Sequence, residues 1–286
     1  MTLASVKCRR LDFTEAELRA LYEEQQLSTT AIARLRGCSR SGVRSHLIAL
    51  GIARRPPTTE PVYPRRSFSD DPLEKAYLSG FRDGDLHVHK NNHHETSPTI
   101  VVACASTKDD QIKLVRELFE PYGRVNISSG PRQSVVTCWL NLSFSFLLQK
   151  SEQVPPWAWH DERHFASYLA GYIDAEGYIG VKRATKASQL VIRSGDVGIL
   201  RSCRAKLVQL GIDCPPISLV KSAGGRDGVS GPIYHRDHWC LAVYRQDALN
   251  KLFEVISPYM RHAKRRQDME TAWHNLRHRS FWLVNN

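Results

Sequence analysis

Residues 168–179 read YLAGYIDAEGYI, and residues 77–88 read YLSGFRDGDLHV. One constant offset links Tyr77 with Tyr168, Gly80 with Gly171, Asp83 with Asp174 and Asp85 with Glu176. An internal repeat of this kind sets the architecture before any finer reading. Each copy reads as a short helix with small residues along one side: Ser79, Gly80 and Gly84, then Ala170, Gly171 and Ala175. Small residues at helical spacing let two backbones approach closely. These segments are too short and too charged to span a membrane. Each helix ends in an acid, Asp85 or Glu176. Side-by-side packing therefore brings two carboxylates to one end of the seam. Such a pair is costly unless a positive charge neutralises it, and a hard divalent cation with oxygen ligands is the usual solution.

Leu169–Gly177, LAGYIDAEG, closely resembles the LAGLIDADG motif of homing endonucleases, and Leu78–Leu86 resembles a weaker copy. The resemblance covers residues 71–286. It implies an α+β fold of two pseudo-symmetric αββαββα repeats in one chain, forming a saddle-shaped sheet. It also implies a site-specific endonuclease of intron-homing type, a monomer that cuts both strands of a long duplex site with Mg2+ or Mn2+. On that basis Asp85 and Glu176 are the metal ligands, assisted by backbone carbonyls at Gly84 and Ala175. Lys264, and its first-repeat counterpart Lys150, are the basic catalytic residues; the bland reading makes both solvated lysines. Asp83 and Asp174 lie on another side of their helices and read as structural or capping groups. Two departures stand out: Arg82 replaces an apolar residue, and Leu86 replaces the closing glycine. Two rival functions remain open: a DNA-binding regulator on the same fold that does not cleave, and an intron maturase that binds RNA.

The net charge of +11 over 286 residues, with a pI near 9.4, favours a polyanionic partner, most simply double-stranded DNA. Seven scattered cysteines without a CxxC pair read as small core residues of a reducing compartment. No signal peptide or long apolar run is apparent, so the expected location is cytoplasmic, at the nucleoid.

Residues 1–52 read as three helices after a frayed basic start. Thr14 and Glu17 form a capping box, with Leu18, Leu21 and Tyr22 as its apolar stripe. Ser28 caps a second helix carrying Ile32 and Leu35, and Ser39 caps a third with Val43, Leu47 and Leu50 inward. This all-α unit resembles a helix-turn-helix, with Arg40, Ser41, Arg44 and Ser45 on the outer, major-groove face. Residues 53–72 form a Pro/Arg-rich linker whose Arg54, Arg55, Arg65 and Arg66 could follow phosphates. The repeats then occupy 73–150 and 151–286. In the second, Asp196 reads as a helix cap. Strand residues alternating away from the core are DNA-contact candidates: His89, Asn91, His93, Lys182, Lys186, Gln189 and Arg193. Three decoys are set aside. His160 and His164 have HExxH spacing but Asp161 in second place, the histidines at 87–94 lack cysteine partners, and the terminal Asn285-Asn286 lacks a preceding His.

Overall fold

The computed structural model describes residues 13–55, 65–91, 98–226, 231 and 233–284, with the backbone alone over 278–284. The chain divides into two compact units, Met1–Val62 and Tyr63–Asn286. The basic start at residues 1–10, Pro56, Pro57, Pro61 and Pro64 of the linker, His93, His94 and the final asparagines lie outside the described residues.

In the first unit the Thr14 hydroxyl accepts the Glu17 amide at 3.2 Å and opens α1 (Glu15–Arg19). This helix widens into a π-helical turn, Ala20–Glu24. Ser28 and Ser39 cap α2 (Thr29–Arg36) and α3 (Arg40–Ala49) by accepting the amides of Ala31 and Gly42 at 3.1 Å. Gly37 ends α2 at φ +65°, where a side chain is disfavoured. Leu18, Ile32, Val43 and Leu47 form the fully buried core. Leu35 does not face inward; it is 63% exposed. Ile32 and Ala33 define the buried arc of α2, and Leu35 lies about 200° round the helix from Ala33. Arg55 belongs to this unit. Its amide donates to the Tyr22 hydroxyl at 3.1 Å, and its guanidinium stacks on the Tyr22 ring and donates to the Gln26 carbonyl at 2.9 Å.

The second unit repeats one element order. The first half contains α4 (Pro72–Asp85), β1 (His87–Asn91), β2 (Thr99–Ser106), α5 (Asp109–Phe119), β3 (Arg124–Ser129), β4 (Ser134–Leu140) and a 3₁₀ turn, Leu142–Leu147. A short helix, α6 (Pro156–His160), precedes α7 (Glu162–Glu176), β5 (Gly177–Val181), β6 (Ser188–Ser194), α8 (Val197–Gln209), β7 (Ser218–Lys221), β8 (His238–Val243), α9 (Gln246–Ile256) and α10 (Ala263–Val284). The strands form two separate antiparallel sheets, ordered β1-β2-β4-β3 and β5-β6-β8-β7, rather than the single sheet expected. Each sheet closes its hydrogen bonds within its own repeat. What joins the repeats is a helix pair and a continuous apolar core.

Asp71 starts α4 by accepting the Leu73 amide, and Asp161 starts α7 by accepting the His164 amide. That capping bond is the use of Asp161 between the two histidines. No other pair of described elements packs as extensively as α4 and α7. A Cβ on Gly80 would lie 2.0 Å from the Tyr168 carbonyl oxygen, and a Cβ on Gly171 would lie 2.1 Å from that of Tyr77. The reciprocity of these contacts is the twofold symmetry of the repeat expressed in backbone sterics.

Candidate metal centre

The glycine crossing fixes what lies beyond it. Tyr77 donates to Asp174 Oδ2 at 2.8 Å, and the symmetric Tyr168 donates to Asp83 Oδ2 at 2.7 Å. Both aspartates are buried, and both also hold backbone. Asp174 accepts the amides of Arg261 and His262 at 2.7 and 2.9 Å, fixing the approach to α10, while Asp83 accepts the Ser151 amide at 3.1 Å. These bonds tie each motif helix to its partner and to the following segment, in line with a structural role. Arg82 is buried, pairs with Asp83 and donates to the Leu147 carbonyl at 2.8 Å. The departure at position 82 is thus absorbed by pairing the guanidinium beneath the 3₁₀ turn. A buried charge needs such a partner.

One turn further on, the helices remain in contact. A Cβ on Gly84 would sit 2.4 Å from Ala175 Cβ and 3.0 Å from Glu176 Cγ. Asp85 and Glu176 therefore end adjacent helices at one end of the seam. Asp85 opens onto a cavity of about 460 Å³ that also reaches Gln111, Ala175, Tyr178, Lys264 and Arg265. Packed walls make its charged form costly, and its carboxyl rises to about 6 against the pull of Arg265. Gln111 donates to Asp85 Oδ2 at 2.6 Å. Burial first, then the charges of Asp85 and Asp196, raise half-buried Glu176 to about 7, while Lys150 and Arg236 oppose the rise.

The two lysines are distributed crosswise. Lys264, from the second repeat, lines the cavity of Asp85, and Lys150, from the first, acts on Glu176. Each is ion-paired: Lys264 with Asp268, and Lys150 with Asp196 Oδ2 at 2.9 Å. Asp196 makes no capping bond to α8, contrary to the sequence expectation. Its Oδ2 also accepts the Ser194 hydroxyl at 3.2 Å, so this carboxylate oxygen is held by the lysine and the serine while Asp196 keeps the N-cap position of α8.

The donor set suits a hard cation. Two carboxylates that resist ionising side by side gain from a divalent ion between them. The described residues hold no group of three or more His, Cys, Asp or Glu able to enclose a metal. An ion here would take two carboxylates and helix-end carbonyls from the protein and fill its remaining positions with water and phosphate oxygens. That partial shell fits the coordination habit of Mg2+.

The strand candidates fall on one face of each sheet. His89 and Asn91 alternate outward on β1, and Gln189 and exposed Arg193 alternate outward on β6. Lys182 follows β5, and Lys186 sits in the β5–β6 turn at φ +53°. The linker arginines part company. Arg54 is exposed, Arg55 is committed to Tyr22 and Gln26, and the Arg66 amide donates to the Tyr122 carbonyl at 2.8 Å beside Arg65. The sequence reading missed Gln111, Asp196, Arg265 and Arg236 as neighbours of the acids. Gln111 had left a trace: it shares the i, i+3, i+4, i+7 stripe of α5 with Leu114, Val115 and Leu118, a polar residue on a buried face.

No protein-family model and no curated protein matches the chain. Its structural neighbours include homing endonucleases. I-DmoI in complex with DNA and Ca aligns with 70% of this chain and 98% of its own, at 17% identity and a TM-score of 0.48. I-WcaI bound to its DNA recognition sequence aligns with 67% of this chain and 83% of its own, at 14% identity and a TM-score of 0.44. Full-length DUF199/WhiA from Thermatoga maritima aligns with 74% of this chain and 62% of its own, at 14% identity and a TM-score of 0.45. At these scores no residue role transfers by alignment. The motif helices and their own geometry carry the reading. No described helix is long and apolar enough to cross a membrane.

Proposed function

We propose that this chain is a metal-dependent, site-specific endonuclease acting on duplex DNA as a monomer. The observation that carries the proposal is the convergence of Asp85 and Glu176 at the end of the glycine seam, where each carboxyl is held toward its protonated form. A pair so placed favours binding a divalent cation over standing empty. Asp85 and Glu176 would hold Mg2+ or Mn2+, with carbonyls of Gly84 and Ala175 at hand. Such an ion would supply Lewis-acid stabilisation of phosphate charge and acidify an attacking water.

The remaining work falls to the chain. Lys264 and Lys150 place positive charge beside the two acids, where negative charge builds on a phosphate under attack. Their partners Asp268 and Asp196 hold them in position. Gln111 orients the Asp85 carboxylate through its 2.6 Å bond. The outward strand residues His89, Asn91, Gln189 and Arg193, with Lys182 and Lys186, provide donors for base edges and phosphates. Arg40, Ser41, Arg44 and Ser45 are exposed at the start of the capped helix α3 and supply a second DNA contact of helix-turn-helix type, with Arg54 of the same unit exposed as well. Arg65 and Arg66, in the second unit, are separate phosphate-contact candidates.

A plasmid library carrying random inserts, incubated with the protein and Mg2+ and sequenced at new ends, tests the reading. Breaks should concentrate at one sequence. Glu176→Gln should still bind that sequence but cut one strand at least about 100-fold more slowly, the scale of losing one electrostatic stabiliser. Normal cutting of both strands by this variant would remove Glu176 from the site. A second reading is a DNA-binding regulator that does not cleave. The specific observation in its favour is that both lysines are already committed to acids. It predicts retarded library DNA and no cuts in either Mg2+ or Mn2+.

A further inference from the structure

The metal centre gives Arg82 no task, yet the chain buries it. Arg82 is 5% exposed, at a position where the motif resembled by α4 carries an apolar residue. A buried guanidinium is costly unless its donors are met. Nε donates to the Leu147 carbonyl and Nη1 to Asp83 Oδ1. Nη2 has no hydrogen-bond partner among the described residues. Asp83 has little left to offer it. Its Oδ1 already takes the Ser151 amide as well, and its Oδ2 takes the Tyr168 hydroxyl.

Arg82 lines a cavity of about 220 Å³ between α4, the 3₁₀ turn and the chain leading to α6. Lys75, seven residues earlier and so on the same face of α4, lines it too. The Lys75 ammonium lies 5.5 Å from the Phe146 ring centre and 5.2 Å from that of Trp157, and it has no carboxylate partner among the described residues. Ser79 adds a hydroxyl from α4, and Gln149 and Ser151, on either side of Lys150, add an amide and a second hydroxyl. The charged lining is therefore two cations against one carboxylate whose oxygens are both engaged.

Donors that converge from two chain segments, with positive charge in excess, suit an oxyanion. The size narrows the choice: pockets for drug-sized ligands run from roughly 300 to 1,000 Å³, and this one is smaller. A tetrahedral ion presents acceptors in several directions at once, as donors on α4 and on the facing segment require. We propose that this cavity binds a small oxyanion of the phosphate class, held by Lys75 and Arg82. Trp157, 39% exposed, offers a ring face to any flat group that the phosphate carries. The cavity shares no lining residue with that of Asp85, so its occupation does not depend on cleavage.

The test is a titration of the full chain, free of divalent metal, with inorganic phosphate at constant pH and ionic strength, followed by tryptophan emission and by calorimetry. Emission should change saturably, and Trp157→Phe should remove that change. Lys75→Met keeps an apolar stem between the two rings. It should weaken phosphate binding about tenfold or more, the value of one charge-assisted hydrogen bond. Lys75→Arg should retain the affinity. A nucleoside 5′-monophosphate titrated in parallel separates two sources of the same chemistry: tighter binding than phosphate means its base stacks on Trp157, and equal binding means that the ion alone is held. No saturable change would overturn the proposal. So would a response undiminished in Trp157→Phe or in Lys75→Met, which would place the phosphate elsewhere on this basic chain.

Discussion

Asp85 and Glu176 carry a thermodynamic signature that can be measured without DNA. Their folded carboxyls titrate at about 6 and about 7, against roughly 4 in an unfolded chain. Between about pH 4 and 7 the native state therefore binds more protons than the unfolded state, and stability falls as pH rises through that window. Asp174, also raised to about 6, adds to the slope, and His262, whose pKa is lowered, opposes it on the acid side. The cation-free protein should melt at a higher temperature near pH 5.5 than near pH 8. Asp85→Asn with Glu176→Gln should flatten the slope and raise the melting temperature at the alkaline end. Mg2+ should stabilise the parent chain there and leave the double variant unmoved. An unchanged slope in the double variant would mean the acids are not the source. The neighbours give a second handle. Lys150→Met removes a charge that favours ionised Glu176, so the pH profile for cutting one strand should move upward. Asp196→Asn should move it downward. Strand-resolved rates across pH read both shifts.

At the level of elements, the seam between α4 and α7 is the least tolerant feature. Gly80→Ala or Gly171→Ala drives a methyl into a backbone carbonyl that cannot rotate away. Either change should cost about 3 kcal/mol or more, the upper range for overpacking, and denaturant midpoints would show it. Ala at Gly37 should cost less, since nothing lies within 4 Å there and only the φ of +65° resists it. The tyrosine–aspartate pairs form a second tie. Tyr168→Phe leaves one Asp83 oxygen short of a partner in a buried setting and should cost about 1–3 kcal/mol. Elements are also where the sequence was most legible. The caps Thr14, Ser28 and Ser39, the amphipathic stripe of α5 and the alternation of β1 and β6 rest on local pattern, and the structure places them accordingly. Asp196 was misread because Ser194 and Lys150 engage its carboxylate, which makes no capping bond to α8.

For the whole molecule, the division at Val62/Tyr63 separates a three-helix unit from the two repeats. Each has its own apolar cluster. Residues 63–286 alone should therefore melt cooperatively and keep Mg2+-dependent cutting, with weaker binding at a given salt concentration. Calorimetry of the fragment would contradict this if its transition disappeared. With a net charge of +11, binding of the full chain should weaken steeply with salt. The log–log slope of the fragment should be shallower by about one unit for every phosphate that the three-helix unit neutralises in the full chain.

The repeat itself determined much of this protein. The constant offset, the small residues and the terminal acids announce two equivalent helices that approach closely, because helical period and side-chain size are properties of a few consecutive residues. Only the tertiary structure decided which groups surround those acids. Gln111, Asp196 and Arg265 reach them from other elements across gaps in the chain that no local pattern spans. The crosswise placement, with Lys264 lining the cavity of Asp85 and Lys150 acting on Glu176, likewise follows from contacts between the repeats rather than from any local pattern.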